Sequence, residues 1–148
     1  MNQSETIGQL ATALSIVQGK LTHATKDSAN PFFKSRYADL ESVWDSCRSL
    51  LAENGLAIMQ FPGAVIAHED KLFMSLTTII THSSGEFISE EMSVPVSKAD
   101  AQGAGSAITY MRRYALAAVV GVVQADDDGN AASTPKQVVK PVVKSIEI

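Results

Sequence analysis

The sequence predicts an α+β domain: an antiparallel meander of three to four β-strands packed with helices, followed by a flexible C-terminal tail. Three observations carry this prediction. Two N-terminal segments repeat apolar residues at three- and four-residue spacing, as amphipathic helices do. A middle segment rich in Thr, Ile and Phe alternates apolar and polar residues and is cut by turn residues. A third segment, Ala107 to Ala118, is mostly Ala, Met, Leu and Tyr without Pro or Gly, so its helix propensity is good.

In chain order, Ile7, Leu10, Leu14, Val17, Leu21 and Ala24 predict a first helix over about Ser4 to Ala24, weakened by Gly8 and Gly19. Thr25 to Arg36 reads as a loop, with Asn30-Pro31 as a turn or extended signal. Leu40, Val43, Trp44, Cys47, Leu50 and Leu51 form one stripe of a second helix over Tyr37 to Asn54, and Asn54-Gly55 stops it. Trp44 and Cys47 lie within that stripe and are expected in the core. Short strands follow at Leu56 to Phe61 and Ala64 to Ala67, separated by a turn at Pro62-Gly63. Longer strands run over Lys71 to Thr81, with Leu72, Met74, Leu76 and Ile80 on one face, and over Glu86 to Val96, with Ser83-Ser84-Gly85 as their turn. Pro95 marks the end of the last strand or an edge. Glu86, Glu90 and Glu91 are expected to form an acidic patch that repels phosphate. After Asp126-Asp127-Asp128-Gly129-Asn130 the composition changes, so the expected division is a folded unit over 1–125 and an acidic cap with a tail over 126–148, with one extended piece around Val138 to Val143.

The chain has 148 residues, and 45% of them are hydrophobic against 19% charged, enough for one real core. No apolar run is long enough to span a bilayer, and the N-terminus does not read as a secretory signal. The single cysteine has no partner for an internal disulfide, which fits a reducing cytoplasm. The net charge of −4 argues against non-specific nucleic-acid binding by the whole surface, so any such binding must rest on local clusters of cations.

Two stretches concentrate those cations. The first is the loop carrying Lys26, Lys34 and Arg36 beside Phe32, Phe33 and Tyr37. Cations interleaved with aromatic rings suit single-stranded nucleic acid, because the cations hold the backbone and the rings stack on bases. For Phe32 and Phe33 a place in the core is the preferred reading. The second is Gln102 to Tyr114, read as a Gly-rich turn at Gly103 and Gly105 running into a helix. At roughly 100° per residue, Ser106, Thr109, Arg112 and Arg113 share one side of that helix, with Leu116 further along. Ala107, Tyr110, Met111, Tyr114 and Ala118 lie opposite, so Tyr110 is expected to pack. Exposed N–H groups at a helix start favour an anion, glycines allow close approach, and guanidinium forks match phosphate oxygens. From this stretch alone, phosphate binding and a structural helix with surface-paired arginines are about equally matched.

Other chemistries find less support. No Gly-x-x-x-x-Gly-Lys-Ser/Thr loop is present, so ATP-driven work has no visible engine. Gly103-x-Gly105 lacks the third glycine and the βαβ context of a dinucleotide site. His23, His68 and His82 show no metal-ligand spacing, though His68 and His82 both adjoin turns. Asp126 to Asp128 is the best metal candidate, but it lacks a calcium loop's spacing, and a solvated acidic cap is preferred.

Four ordered motifs bear a resemblance. They are Phe33-Lys34-Ser35-Arg36-Tyr37-Ala38-Asp39-Leu40, His82-Ser83-Ser84-Gly85-Glu86, Gln102-Gly103-x-Gly105-Ser106-Ala107-Ile108-Thr109-Tyr110-x-Arg112-Arg113-Tyr114 and Asp126-Asp127-Asp128-Gly129-Asn130. Together, from about Gln9 to Asn130, the chain resembles the ERF (essential recombination function) family of phage single-strand annealing proteins. The resemblance implies a β-β-β-α annealing-protein core and a non-enzymatic protein without cofactors. Its implied function is to bind single-stranded DNA and pair complementary strands without ATP in phage or plasmid recombination. It implies homo-oligomeric rings or filaments in the bacterial cytoplasm, and a phage or plasmid exonuclease or the host single-strand-binding protein as further partners. The motif positions that carry over are Lys34, Arg36 and Tyr37, then Gly103, Gly105, Ser106, Thr109, Tyr110, Arg112 and Arg113. Many members have a longer C-terminal region than this chain. The alternatives are a metal-dependent nuclease using Asp126 to Asp128 with a histidine, and a structural oligomer that does not bind DNA.

Overall fold

The computed structural model describes residues 1–21, 39–96, 98 and 100–123. The loop with Lys34, Arg36 and Tyr37, and the segment from residue 124 onward with Asp126 to Asp128 and Val138 to Val143, lie outside the described residues. The element order is β1 (Asn2–Gln3), α1 (Gly8–Lys20), α2 (Leu40–Glu53), β2 (Leu56–His68), β3 (Lys71–His82), β4 (Phe87–Pro95) and α3 (Ala101–Val120). One antiparallel sheet runs in the order β1-β4-β3-β2.

Local chemistry explains most boundaries. Asp39 caps α2, its Oδ1 accepting from the Ser42 amide and hydroxyl, each at 2.8 Å. The helix therefore starts at Leu40, not at Tyr37. It ends where Gly55 takes a φ of 67°, a left-handed conformation that suits glycine. Gly121, at φ 85°, closes α3 in the same way.

Three elements differ from expectation. First, α1 begins at Gly8, because residues 2–3 pair with Ser89 and Ile88 as an extra edge strand. The helix has no cap from its own N-cap residue, Ile7. Its cap comes from across the fold: the Glu86 carboxylate accepts from the Leu10 amide at 2.8 Å and from the Thr6 hydroxyl at 2.9 Å. Second, β2 is one continuous strand. Pro62-Gly63 does not turn the chain; it forms a bulge, with the register shifting between Pro62 and Val65. Proline is tolerated there because β2 is an edge strand. Third, Gly103 and Gly105 lie inside α3, which starts at Ala101 behind the N-cap Asp100.

All three helices cover one face of the sheet. On β3 the inward residues Met74, Leu76, Thr78 and Ile80 are buried, as period two requires. The core forms two clusters. The larger joins Leu10 and Val17 of α1, Val43, Cys47 and Leu51 of α2, and Leu116, Ala117 and Val120 of α3. The smaller joins Met74 and Leu76 of the sheet to Ala107 and Met111 of α3. On the opposite, uncovered face Met59, Phe61 and Ile66 are exposed.

The two clusters explain a further correction. α3 buries one side against the sheet in its first half and another side against the helices in its second half. A single packing face does not persist along it. Leu116, expected beside the arginines, is therefore buried, while Tyr110, expected to pack, is 47% exposed. Trp44 also departs from the core reading. Val43, Cys47 and Leu51 hold the centre of the α2 stripe, and Trp44 flanks it at 38% exposed.

Candidate nucleic-acid interface

The first turn of α3 is capped by its own N-cap residue. The Asp100 Oδ1 accepts from the Gly103 amide at 2.7 Å, so the helix already ends on its own carboxylate. Gly103 is buried, and a Cβ there would collide with the Lys98 backbone carbonyl. Its role is close packing of the chain against itself. Gly105 is exposed, with open space where a Cβ would stand. The expectation of a Gly-rich turn ahead of the helix is thus overturned, because both glycines are helical.

Beyond the first turn, Ser106, Thr109 and Arg112 are exposed on α3. Thr109 donates its hydroxyl proton to the Gly105 carbonyl at 3.0 Å, so it is left to act as an acceptor. Arg112 is held from the sheet. Its Nε donates to Gln60 Oε1 at 3.4 Å, and Gln60 Nε2 donates to the Arg112 carbonyl at 3.1 Å. Gln60 Nε2 also donates to Thr78 Oγ1 at 3.3 Å, which ties this clasp to the centre of the sheet. Arg113 is half-buried, and its guanidinium carbon lies 4.8 Å from the centroid of the Tyr114 ring. Tyr114 in turn packs on Tyr110, with ring centroids 4.3 Å apart. The Arg-Arg-Tyr sequence thus gives one cation clasped by an amide and one laid over an aromatic ring.

Arg112 borders a cleft of about 530 Å³. Leu40, Glu41 and Trp44 of α2 contribute to it, with Ile58 and Gln60 of β2 and Leu116 of α3. Leu40 is the last residue of the first basic motif and Arg112 belongs to the second; residues 33–38 of the first motif lie outside the described residues. Ser106 and Tyr110 line a different hollow, of about 420 Å³, with Val94 and Pro95 at the end of β4. The second motif therefore serves two places. Sequence reasoning does not mark Gln60 or Trp44 as site residues. Gln60 carries a signal all the same: it is a polar residue at an inward position of a strand, after Leu56 and Ile58.

The expected acidic patch does not form. Glu86 is buried as the cap of α1, and the Leu10 amide holds its carboxyl below the usual range against the opposing cost of burial, helped by Thr6, the Gln9 amide and the charge of His82. Glu90 takes the N-terminal ammonium at 2.8 Å. Glu90 and Glu91, adjacent in β4, point to opposite faces. His68 and His82 cannot share a metal, since one pairs with Lys71 at the β2–β3 turn and the other with Leu56 at the far end of the hairpin. Among the described residues no three His, Cys, Asp or Glu side chains cluster as a metal site would need. Burial pushes the Cys47 thiol up to about 11, so it stays protonated and unreactive. No helix among the described residues is long and apolar enough to cross a membrane.

No curated protein and no solved structure matches the chain. A family model does: the ERF superfamily matches residues 10–147. That span takes in α1 from Leu10, every later element and both basic motifs, and the chain belongs to the ERF superfamily.

Proposed function

We propose that the protein binds single-stranded DNA and anneals complementary strands without ATP, in phage or plasmid recombination in a bacterial cytoplasm. The observation that carries this reading is Arg112, held by Gln60 at the edge of a cleft that Leu40, the last residue of the first motif, also lines. Family membership supports it. In this mechanism Arg112, fixed by Gln60, contacts the phosphate backbone. Arg113 with its tyrosines, and Lys34 and Arg36 of the first motif, extend the cationic track. No bond is made or broken by the protein, so it needs neither cofactor nor nucleotide. Each subunit supplies few cations. A ring or filament repeats them along the strand, and many weak contacts add up to firm binding. An exonuclease that exposes single strands, or the host single-strand-binding protein, would then act beside it.

The test mixes complementary labelled oligonucleotides with the protein in EDTA without nucleotide. Accelerated duplex formation is expected. Inert mixtures would overturn the reading, and cleavage that appears only on adding magnesium would replace it with a nuclease.

A further inference from the structure

We infer that the cleft beside Arg112 is a nucleobase pocket, in which a base of the bound strand leaves the track and stacks on Trp44. This rests on the single-stranded DNA reading above and adds the part of the ligand that enters and the residue that receives it.

Four observations converge. The cleft is about 530 Å³, within the roughly 300–1,000 Å³ of small-molecule sites, and ample for a base. Its apolar side chains, Leu40, Ile58 and Leu116, suit the faces of a planar ring, not a phosphate. Trp44 borders it while 38% exposed, although it belongs to a stripe whose centre, Val43, Cys47 and Leu51, is buried. A tryptophan left open beside an apolar hollow offers a large stacking surface. The charges are placed unequally. Arg112 provides the cation, with its Nε taken up by Gln60, so the Nη groups are what remains for a ligand. Glu41 borders the same cleft, and its carboxylate repels a phosphate while accepting from N–H groups at a base edge. The backbone therefore stays on the Arg112 side, and the uncharged base is the part that enters. Because every base has a stacking face, the pocket is tolerant of sequence, as an annealing reaction demands.

Trp44 is the protein's single tryptophan, so its emission reports this pocket alone. The experiment follows, on one sample of the full chain, the anisotropy of a labelled oligothymidylate and the Trp44 emission. An abasic oligonucleotide of equal length serves as the comparison. Binding of the oligothymidylate is expected to quench Trp44, and binding of the abasic strand is expected to leave it unchanged. Trp44→Leu should weaken oligothymidylate binding roughly 5- to 140-fold, the range for losing one aromatic–base stack, and Trp44→Phe should restore most of it. Anisotropy that reports binding while the emission stays constant, or equal quenching by the abasic strand, overturns the pocket and leaves DNA binding standing. Anisotropy that reports no binding overturns the DNA reading itself. The emission arm uses the unaltered protein, so the outcome does not depend on the variants folding.

Discussion

Arg112 shows how one exposed side chain acquires a fixed direction. Its two contacts with Gln60, one to the side chain and one to the backbone, couple α3 to β2. Arg112→Ala should weaken single-stranded DNA binding and reduce the slope of log affinity against log salt by about 0.7, the value for one lost phosphate contact on a single strand. The fold should survive, because Arg112 is exposed. Anisotropy titrations at several salt concentrations, with circular dichroism as the check on folding, measure both. Gln60→Leu should reproduce part of the loss, since the guanidinium remains but is no longer held. Glu86 is the opposite kind of residue, structural and buried. Its folded carboxyl titrates below its ordinary value, so its stabilisation is fully present above about pH 4.3, the unfolded value, and is lost as pH falls through the lower folded one. Glu86→Gln should lower the melting temperature at pH 7, and the two proteins' melting temperatures should approach each other as the pH falls into the acid range, where the folded carboxyl protonates.

Among the elements, α3 carries the sharpest contrast. Gly103 and Gly105 sit close together near the start of one helix but meet different surroundings. Gly105→Ala should stabilise by roughly 0.5–1 kcal/mol, because the site is open and alanine is the better helix former. Gly103→Ala should destabilise by roughly 1–3 kcal/mol, because the added methyl meets the Lys98 carbonyl. Urea unfolding of both variants measures the two signs. Gly105→Ala should also bind DNA as well as the parent protein does, and a marked loss would mean that the strand approaches the backbone at Gly105. The β2 strand follows the same rule. A Pro-Gly pair is a turn signal by propensity, but pairing of β2 with β3 on both sides of it converts the turn into a bulge.

At the scale of the molecule, the balance of charge decides how DNA binding must work. A subunit of net charge −4 cannot attract a polyanion by its overall field. On the proposed function, binding comes from a few cations repeated by assembly, so affinity should fall steeply between about 50 and 200 mM salt and depend little on sequence. Anisotropy with oligonucleotides of unrelated sequence checks both. Native mass spectrometry should show assemblies larger than a dimer.

The α+β class, the two long central strands, the second helix and the family are all legible from periodicity and ordered motifs, since those signals lie between residues close in the chain. The Gly55 stop and the inward set of β3 rest on the same short-range chemistry. What is not legible depends on partners distant in sequence. The cap of α1 is supplied by Glu86, 76 residues after Leu10. The buried side of α3 changes because its two halves face different neighbours. Among the described residues, Trp44 stands open because a cleft lies beside it. Helix and strand periods state which side chains share a face, and only the packing of those faces against one another decides which of them is buried, clasped or left free to bind.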